Sequence, residues 1–135
     1  MTGANKVTTW PRDELERIGD AEELQLASRR PDGSLRPYVV MWVVRVDHDL
    51  YVRSAYGSEN PWYRRATASG TGRVRAGGIE RDVSFAQASA EAQGDIDSAY
   101  HAKYDRYGPR IVGSVTGQDA HRVTVRLVAR PGEED

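Results

Sequence analysis

The stretch PYVVMWVVRVDHDLYVRSAYGSENPWYRRA, residues 37–66, decides the fold of this chain. It contains six consecutive apolar residues, Val39 to Val44, most of them β-branched. A run of this kind is typical of a strand that is covered on both faces. Asp47-His48-Asp49 then connects it to a second strand, Leu50 to Ser54. The stretch therefore predicts a β-hairpin whose first strand is apolar throughout.

A helix is predicted to begin near the end of the same stretch. Asn60 is a favourable N-cap, and Pro61 is tolerated at the first helical position because its missing N–H would have had no partner there. The free N–H groups of such a helix start attract phosphate or carboxylate groups. The candidate anion ligands in and beside the preceding loop are Arg53, Ser54, Gly57 and Ser58. A plain strand-to-helix connection with a normal cap is the alternative.

The remaining hydrophobic patterns predict four further strands and two further helices around this hairpin. Period-two alternation marks strands at 23–28, 72–77, 79–88 and 122–130. The two further helices are predicted at 14–18 and 95–107, and the helix that begins after Asn60 is predicted at 61–68. Six strands joined by tight turns, with only short helices between them, favour a mainly β, antiparallel barrel. We expect residues 1–130 to form one domain and the acidic segment PGEED, 131–135, to be a disordered tail.

Two groups of aromatic residues are candidates for contact with a planar ligand. Tyr100, Tyr104 and Tyr107 recur at helical spacing and form one face, which either walls a pocket or packs against the barrel. In the first case the hydroxyl of Tyr104 is the candidate catalytic group, acting as a hydrogen-bond donor. Trp62 and Tyr63, at the start of the helix at 61–68, either line the same ligand or belong to the core.

The composition argues against several classes of function. Lys and Arg number 19 and Asp and Glu 20, whereas a nucleic-acid binder usually carries a basic surplus. Arg73 and Arg75 alternate with Val74, so we interpret them as the solvent face of a hairpin and not as a nucleic-acid patch with Arg64 and Arg65.

Metal sites and membrane segments are not expected either. The chain has no cysteine, and its three histidines, His48, His101 and His121, lie far apart, so we expect no metal. No apolar run is long enough to span a bilayer, and the first residues do not resemble a secretory leader. We therefore expect no membrane contact and a cytoplasmic location.

Four motifs between Ser28 and Gly78 resemble those of the flavin and deazaflavin split-barrel superfamily. They are the basic turn SRRPDGSLR (28–36), the loop SAYG (54–57), the helix start PWY (61–63) and the hairpin RVRAGG (73–78). The chain is most similar to the deazaflavin-dependent nitroreductase branch and to a small uncharacterised bacterial domain family placed in the superfamily. This resemblance implies a six-stranded antiparallel split β-barrel of the FMN-binding type and a homodimer with its sites at the subunit boundary.

The resemblance also implies a cofactor, FMN or the deazaflavin coenzyme, and an oxidoreductase that transfers hydride to a small organic substrate such as a quinone or a nitro compound. Carried over by position, the cofactor-binding residues would be Arg30, Arg36, Arg53, Ser54, Tyr56, Gly57, Ser58, Trp62, Tyr63, Tyr100, Tyr104 and Tyr107. Deazaflavin binders usually have a lysine after the loop serine, where this chain has Ala55 and Tyr56. Either Arg53 replaces that charge or the cofactor site has been lost.

Two other functions remain open at the level of the sequence. The barrel could bind an apolar small molecule without any cofactor or redox activity. It could also be a non-redox enzyme that uses Tyr104 or Arg81 as an acid or an electrostatic stabiliser. A split barrel hosts many activities, so the fold alone does not decide among these.

Overall fold

A computed structural model describes residues 10–55 and 57–130 of the chain. The strands are β1 (Leu24–Ser28), β2 (Val39–Met41), β3 (Val44–Val46), β4 (Asp49–Arg53), β5 (Thr71–Ala76), β6 (Ile79–Gln87) and β7 (Thr124–Ala129). The helices are α1 (Arg12–Asp20), α2 (Pro61–Ser69), α3 (Gln93–Tyr104), α4 (Pro109–Gly113) and α5 (Gln118–His121), with 3₁₀ turns at Ala90–Ala92 and Asp105–Tyr107. The expected tail, 131–135, and Tyr56 lie outside the described residues.

The strands form one antiparallel sheet whose two edges are joined by a very short piece of chain. The strand order is β2-β1-β5-β6-β7-β4-β3, so β2 and β3 are the edges. Only Trp42 and Val43 separate these two strands along the chain. Three Cα–Cα steps span at most about 11 Å. The two edges therefore lie close together, and the sheet is curled into a half barrel.

The strand count corrects the expected six to seven, because the run Val39–Val46 is broken at Trp42-Val43. Its first part pairs with β1, where Leu24 lies opposite Met41, and its second part pairs with β4. The two halves of the run thus pair with different strands, and the ladder is interrupted at Trp42-Val43, where the run changes partners. If the bent run is counted as one strand, the six expected strands are all present.

Helix α3 supplies partners for the backbone groups that this bend leaves free. The hydroxyl of Tyr104 accepts a hydrogen bond from the backbone N–H of Val43 (3.2 Å), and Lys103 Nζ donates to the carbonyl of Val43 (2.7 Å). The ring of Tyr104 also stacks on Trp42, with centroids 4.0 Å apart. Buried backbone groups without a partner are costly. The two side chains of α3 therefore stabilise the connection between the sheet edges.

Two hydrophobic clusters, one on each side of the curled sheet, form the core. The inner cluster contains Val43, Leu50, Val74 and Leu127, and α1 and α2 close it with residues such as Ile18 and Trp62. The outer cluster lies between the sheet and α3 and contains Val44, Tyr51, Ile96, Tyr100 and Tyr104. The apolar run is thus covered on both faces at Val43 and Val44, as expected, whereas Val39 and Val40 remain exposed.

The helices differ from the sequence expectations in two places. The helix predicted at 95–107 ends at Tyr104, and Tyr107 lies in the 3₁₀ turn that follows. Residues 109–121, for which no element is predicted, contain α4 and α5. Asn60 precedes α2 as expected, but its side chain makes no capping hydrogen bond. Within residues 10–55 and 57–130 no helix is long and apolar enough to cross a membrane.

Candidate functional site

Five arginine side chains line a pocket of about 910 Å³ between the turn after β1 and helix α2. We call it the basic pocket; its arginines are Arg29, Arg30, Arg36, Arg64 and Arg65. The turn is held by Asp32, whose carboxylate accepts hydrogen bonds from the backbone N–H and the hydroxyl of Ser34. Among the described residues, no carboxylate belongs to the lining. Several like charges around one cavity create a potential that favours an anion.

The arginines of the basic pocket differ in how far their charge is already compensated. Arg29 pairs with Asp82 (3.2 Å), and Arg64 lies near Glu59 (3.7 Å) at the surface. Arg30, Arg36 and Arg65 form no ion pair within the described part of the chain. The buried Nε of Arg36 has no hydrogen-bond partner there either. A buried donor of this kind is rarely left unpaired, so Arg36 is the clearest candidate ligand for an anion.

A second, largely apolar pocket of about 310 Å³ has walls from chain segments that also border the first, and it shares Ser114 with a third pocket, described below. Its walls include Val39, Val40, Trp42, Trp62 and Ile111. The two pockets border the same two chain segments: Arg36 and Pro61 line the basic pocket, and Val39 and Trp62 line the apolar one. Aromatic and aliphatic walls beside a few polar groups are typical of small-molecule sites.

The described residues of the loop that follows β4 border a third pocket, of about 830 Å³, and none of them lines the basic pocket. Ser54, Gly57 and Ser58 line this loop pocket together with Arg110 and Arg122. Ser54 is buried, and its hydroxyl donates to the carbonyl of Gly57 (2.6 Å). Gly57 has a φ of 102°, which a residue with a side chain rarely adopts. The loop serine thus stabilises its own turn, and the expected anion ligands are divided between two pockets.

Arg53 is buried in a polar network inside the protein. Its side chain has 0% exposure and forms an ion pair with Asp97. Its other donors reach Gln93 Oε1 (2.7 Å), Thr124 Oγ1 (2.9 Å) and the carbonyl of Val115 (2.8 Å). Of the two alternatives that the sequence leaves open, these contacts disfavour the one in which Arg53 replaces the missing loop lysine, because its guanidinium is already bound by the chain itself.

Asp97 connects this network to the surface through His121. Its second oxygen lies 3.0 Å from His121 Nε2 and accepts a hydrogen bond from the N–H of Gly117 (3.4 Å). Burial by itself raises the pKa of Asp97, but the hydrogen bonds from Arg53 and His121 bring the pKa below its ordinary value. The carboxylate therefore remains charged and holds the segment before β7 against α3.

The three tyrosines of the predicted aromatic face have different environments. Tyr100 and Tyr104 are fully buried in the outer cluster, and burial raises the pKa of both phenols. The hydroxyl of Tyr104 donates to the carbonyl of Glu22 (2.8 Å) in addition to its contact with Val43. Tyr107 is 44% exposed, and its hydroxyl donates to the carboxylate of Glu22. These contacts favour the packing interpretation for Tyr100 and Tyr104.

The aromatic residues at the start of α2 are likewise part of the core. Trp62 is 7% exposed and belongs to the inner cluster, although one side of it also faces the apolar pocket. Tyr63 packs against the same cluster, and its hydroxyl donates to the carbonyl of Arg122 (3.3 Å). Trp62 is therefore the one of the pair that is placed to contact a ligand.

A family described as "Uncharacterized protein conserved in bacteria (DUF2255)" matches residues 14–127. The chain belongs to this family. A search of curated proteins gave no match.

Several solved structures have the same fold. One, described as a domain-swapped dimer, has a TM-score of 0.59 at 19% identity, over 87% of this chain and 95% of that one. An F420-H2 dependent reductase has a TM-score of 0.58 at 16% identity, over 79% of this chain and 93% of the reductase chain. The FAD and heme binding protein of Mycobacterium smegmatis has a TM-score of 0.50 at 15% identity, over 97% of this chain and 71% of that protein's chain. At these identities the likeness establishes the fold of this family member as a split barrel.

Sequence reasoning missed three arginines of the basic pocket in this family member. Arg29, Arg64 and Arg65 line it with the expected Arg30 and Arg36. The available signal was the pairing of adjacent arginines, Arg29-Arg30 and Arg64-Arg65, on two segments that a strand–helix contact brings together. Within the described residues no group of three metal-binding side chains is formed.

Proposed function

We propose that this chain is an oxidoreductase that binds a phosphate-bearing flavin-type cofactor, with the deazaflavin coenzyme favoured over FMN. The observation that carries this proposal is the basic pocket beside the apolar pocket, with walls from the same two segments. A cofactor of this class has a strongly anionic tail and a planar ring, which match the two pockets. The protein's contribution is then binding, orientation and exclusion of water.

The residues of the basic pocket fit the tail of such a cofactor. The unpartnered Nε of Arg36 and the guanidinium groups of Arg30 and Arg65, which form no ion pair with a described residue, would bind phosphate or carboxylate oxygens. One nitrogen of Arg30, Nη1, already donates to the carbonyl of Leu35 (3.0 Å), which leaves its other donors for the ligand. FMN carries one phosphate, whereas the tail of the deazaflavin coenzyme carries a phosphate and several carboxylates. Five arginines in one pocket suit several anionic groups better than one.

The apolar pocket would hold the ring of the cofactor. Its volume, about 310 Å³, is at the lower end of the range for small-molecule sites. Trp42, Trp62 and Val40 provide apolar contact surface and keep water away from the ring. A reduced deazaflavin would supply a hydride to an organic acceptor such as a quinone or a nitro compound, with the accompanying proton taken from solvent. No buried side chain is required as a proton donor in this scheme.

The structural neighbours support this choice of cofactor class. They include two proteins described as F420-dependent or F420 reductases and one that binds FAD and heme. The alternative, a cofactor-free binding protein, predicts that neither FMN nor the deazaflavin coenzyme binds. A cytoplasmic location, which suits such a cofactor, stays a prediction.

We also propose that the chain forms a homodimer. Val39, Val40 and Ile111 line the apolar pocket and are 38%, 53% and 45% exposed. A second copy would cover them and would close the apolar pocket from solvent. The neighbour described as a domain-swapped dimer supports this assembly.

The test of the proposed function is a binding titration of the purified protein with FMN and with the deazaflavin coenzyme, followed by absorbance. Arg36→Ala should weaken binding of the preferred cofactor about tenfold to a hundredfold, which corresponds to the loss of one charged hydrogen bond, about 1.5–3 kcal/mol. Arg126→Ala is the matched control, because it removes the same charge from β7, outside both pockets.

Three results would count against the proposal. The first is the absence of binding of either cofactor, which would support the cofactor-free alternative. The second is an equal loss of affinity in both arginine variants, which would show a general charge effect. The third is tight cofactor binding with no transfer of hydride to any quinone or nitro compound tried, which would leave a binding protein without redox activity.

A further inference from the structure

The loop pocket adjoins the apolar pocket along two segments of the chain. Ser54 lines the loop pocket, and the next residue, Ala55, lines the apolar one. Arg110 and Ile111 are divided in the same way, and Ser114 lines both pockets. Groups held in the two pockets therefore lie side by side. If the apolar pocket holds the ring of a cofactor, a molecule in the loop pocket can reach that ring at Ser114.

The lining of the loop pocket is polar, in contrast to that of the apolar pocket. Its uncharged polar side chains include Ser58, Ser114, Thr116 and Gln118. The volume of the loop pocket, about 830 Å³, lies within the range for small-molecule sites. The loop pocket is thus suited to a small molecule with polar groups of its own.

The charged side chains of the loop pocket favour a single negative charge. Arg110 and Arg122 are exposed, and neither guanidinium forms an ion pair with any described residue. Asp119 is the one acidic residue of the described lining, so two arginines and one aspartate leave one net positive charge. A carboxylate carries one negative charge, whereas a phosphate monoester carries about 1.5 to 2 at pH 7. The lining therefore matches a carboxylate.

We propose that the loop pocket binds the hydride acceptor and that this acceptor bears a carboxylate, which Arg110 and Arg122 hold. Arginine binds a carboxylate through two parallel hydrogen bonds, which fix the direction of the bound molecule. The uncharged, reducible end of the acceptor then lies toward Ser114, where the two pockets meet. The carboxylate itself does not react: a quinone, for example, takes up one hydride and one proton from solvent and becomes the hydroquinone.

This inference rests on the proposed function, because the acceptor must meet the ring of a bound cofactor. It names the class of substrate more closely: a nitro compound or a quinone that carries a carboxylate. A neutral compound of the same shape would lose the contacts with the two arginines and would be the poorer substrate.

The test compares 4-nitrobenzoate with 4-nitrobenzamide, which have the same ring and nitro group and differ in one charge. The full chain, labelled with ¹⁵N, is titrated with each compound at low salt and followed by NMR. The parent should bind 4-nitrobenzoate about threefold to tenfold more tightly than the amide, since exposed ion pairs are individually weak. Arg110→Gln combined with Arg122→Gln should remove this preference and leave the affinity for the amide unchanged.

The matched control is Arg12→Gln combined with Arg126→Gln, which removes two arginines outside the basic, apolar and loop pockets. It should keep the preference for 4-nitrobenzoate, and so should Arg36→Ala in the basic pocket. Asp119→Asn should strengthen the binding of 4-nitrobenzoate about twofold to threefold, because it removes a like charge from the lining.

The backbone signals of three glycines show which pocket is filled. Gly57 and Gly113 line the loop pocket, and Gly33 lines the basic pocket. The N–H signals of Gly57 and Gly113 should shift when 4-nitrobenzoate is added, and that of Gly33 should not.

Four results would overturn the inference. The first is an equal affinity of the parent for the two compounds, and the second is an equal loss of preference in the control pair of variants. The third is a shift confined to Gly33, and the fourth is a loss of 4-nitrobenzoate binding in Arg36→Ala but not in the variant of the loop pocket. Either of the last two would assign the carboxylate to the basic pocket.

These outcomes are separate from those that judge the proposed function. If neither FMN nor the deazaflavin coenzyme binds, the cofactor proposal fails, and the titration still decides whether the loop pocket binds a carboxylate. If a cofactor binds and the loaded protein reduces both compounds, the variant of the loop pocket should have a raised KM for 4-nitrobenzoate alone, with kcat retained. If the KM values for both compounds are the same in the parent and in this variant, the cofactor proposal stands and the inference fails.

Discussion

The guanidinium of Arg53 connects four parts of the chain in one buried network. It binds Gln93 and Asp97 on α3, Thr124 on β7 and the carbonyl of Val115, while its own backbone belongs to β4. A buried charge is tolerated only when it is paired and hydrogen-bonded. Arg53 therefore fixes α3 and the segment before β7 against the sheet, and it does so from within the protein.

This role could not be predicted from the sequence. Strand alternation places Arg53 correctly at the end of β4, but its partners lie 40 to 71 residues away along the chain. Only the three-dimensional arrangement shows that they meet. The same limit applies to Tyr104, whose helical face is evident in the sequence while its contacts with Glu22 and Val43 are not.

The carboxylate of Asp97 predicts a specific dependence of stability on acidity. The folded pKa of Asp97 lies below its ordinary value near 3.8. The ion pair thus contributes its full stabilisation above about pH 4, and the contribution is lost as the pH falls toward the folded pKa. Urea unfolding at a series of pH values should show Asp97→Asn less stable than the parent at pH 7, with a difference that shrinks below about pH 4.

The control for this experiment is Asp105→Asn, which removes an exposed carboxylate whose one ion-pair partner among the described residues is the exposed His101. The free energy of unfolding of Asp105→Asn should equal that of the parent at every pH of the series. If the difference in the free energy of unfolding between the parent and Asp97→Asn stays constant down to pH 2, the side chain of Asp97 stabilises the fold through its shape and not through its charge.

At the scale of elements, the bend at Trp42-Val43 determines the shape of the sheet. The apolar run was expected to be one strand, and its hydrophobicity gives no sign of the change of partner, because both sides of the bend are covered. The hairpins and α2 were predicted well because each has a local signal, such as Asp47-His48, Gly77-Gly78 or Asn60-Pro61. The helices α4 and α5 have five and four residues, too few for a helical period to be detected.

The hydroxyl of Tyr104 gives a test of this bend. Tyr104→Phe keeps the stacking on Trp42 and removes only the hydrogen bonds to Val43 and Glu22. It should lower the free energy of unfolding by about 1–3 kcal/mol, because a buried backbone N–H loses its partner, while cofactor affinity stays at the parent value. Chemical denaturation and a cofactor titration of the same sample measure both. Unchanged stability with a tenfold loss of affinity would restore the catalytic interpretation of this residue.

At the scale of the molecule, a net charge of −1 conceals a local excess of positive charge. Five arginines surround one pocket, and only Arg29 and Arg64 among them form an ion pair with a described residue. The basic pocket was not predicted because each of its walls by itself has the pattern of a solvent-facing segment. It is the packing of α2 against β1 that brings the two arginine pairs together.

The exposed valines of the edge strand β2 lead to the last prediction, which concerns assembly. Val40 is 53% exposed on a sheet edge and borders the apolar pocket, together with the exposed Val39 and Ile111. An apolar patch on an edge strand favours association with another chain. The parent should therefore have the mass of a dimer in light scattering at micromolar concentration.

Val40→Lys should shift that mass to the monomer, because association would bury an unpaired ammonium group. The lysine is tolerated in the isolated chain, where residue 40 already faces solvent, so the melting curve of the monomer should remain cooperative. Gln87→Lys, an equal change of charge at the exposed end of β6, should stay dimeric. If Val40→Lys remains a dimer, the interface lies elsewhere on the molecule. If the parent itself is a monomer, the apolar pocket is open to solvent until a ligand covers it.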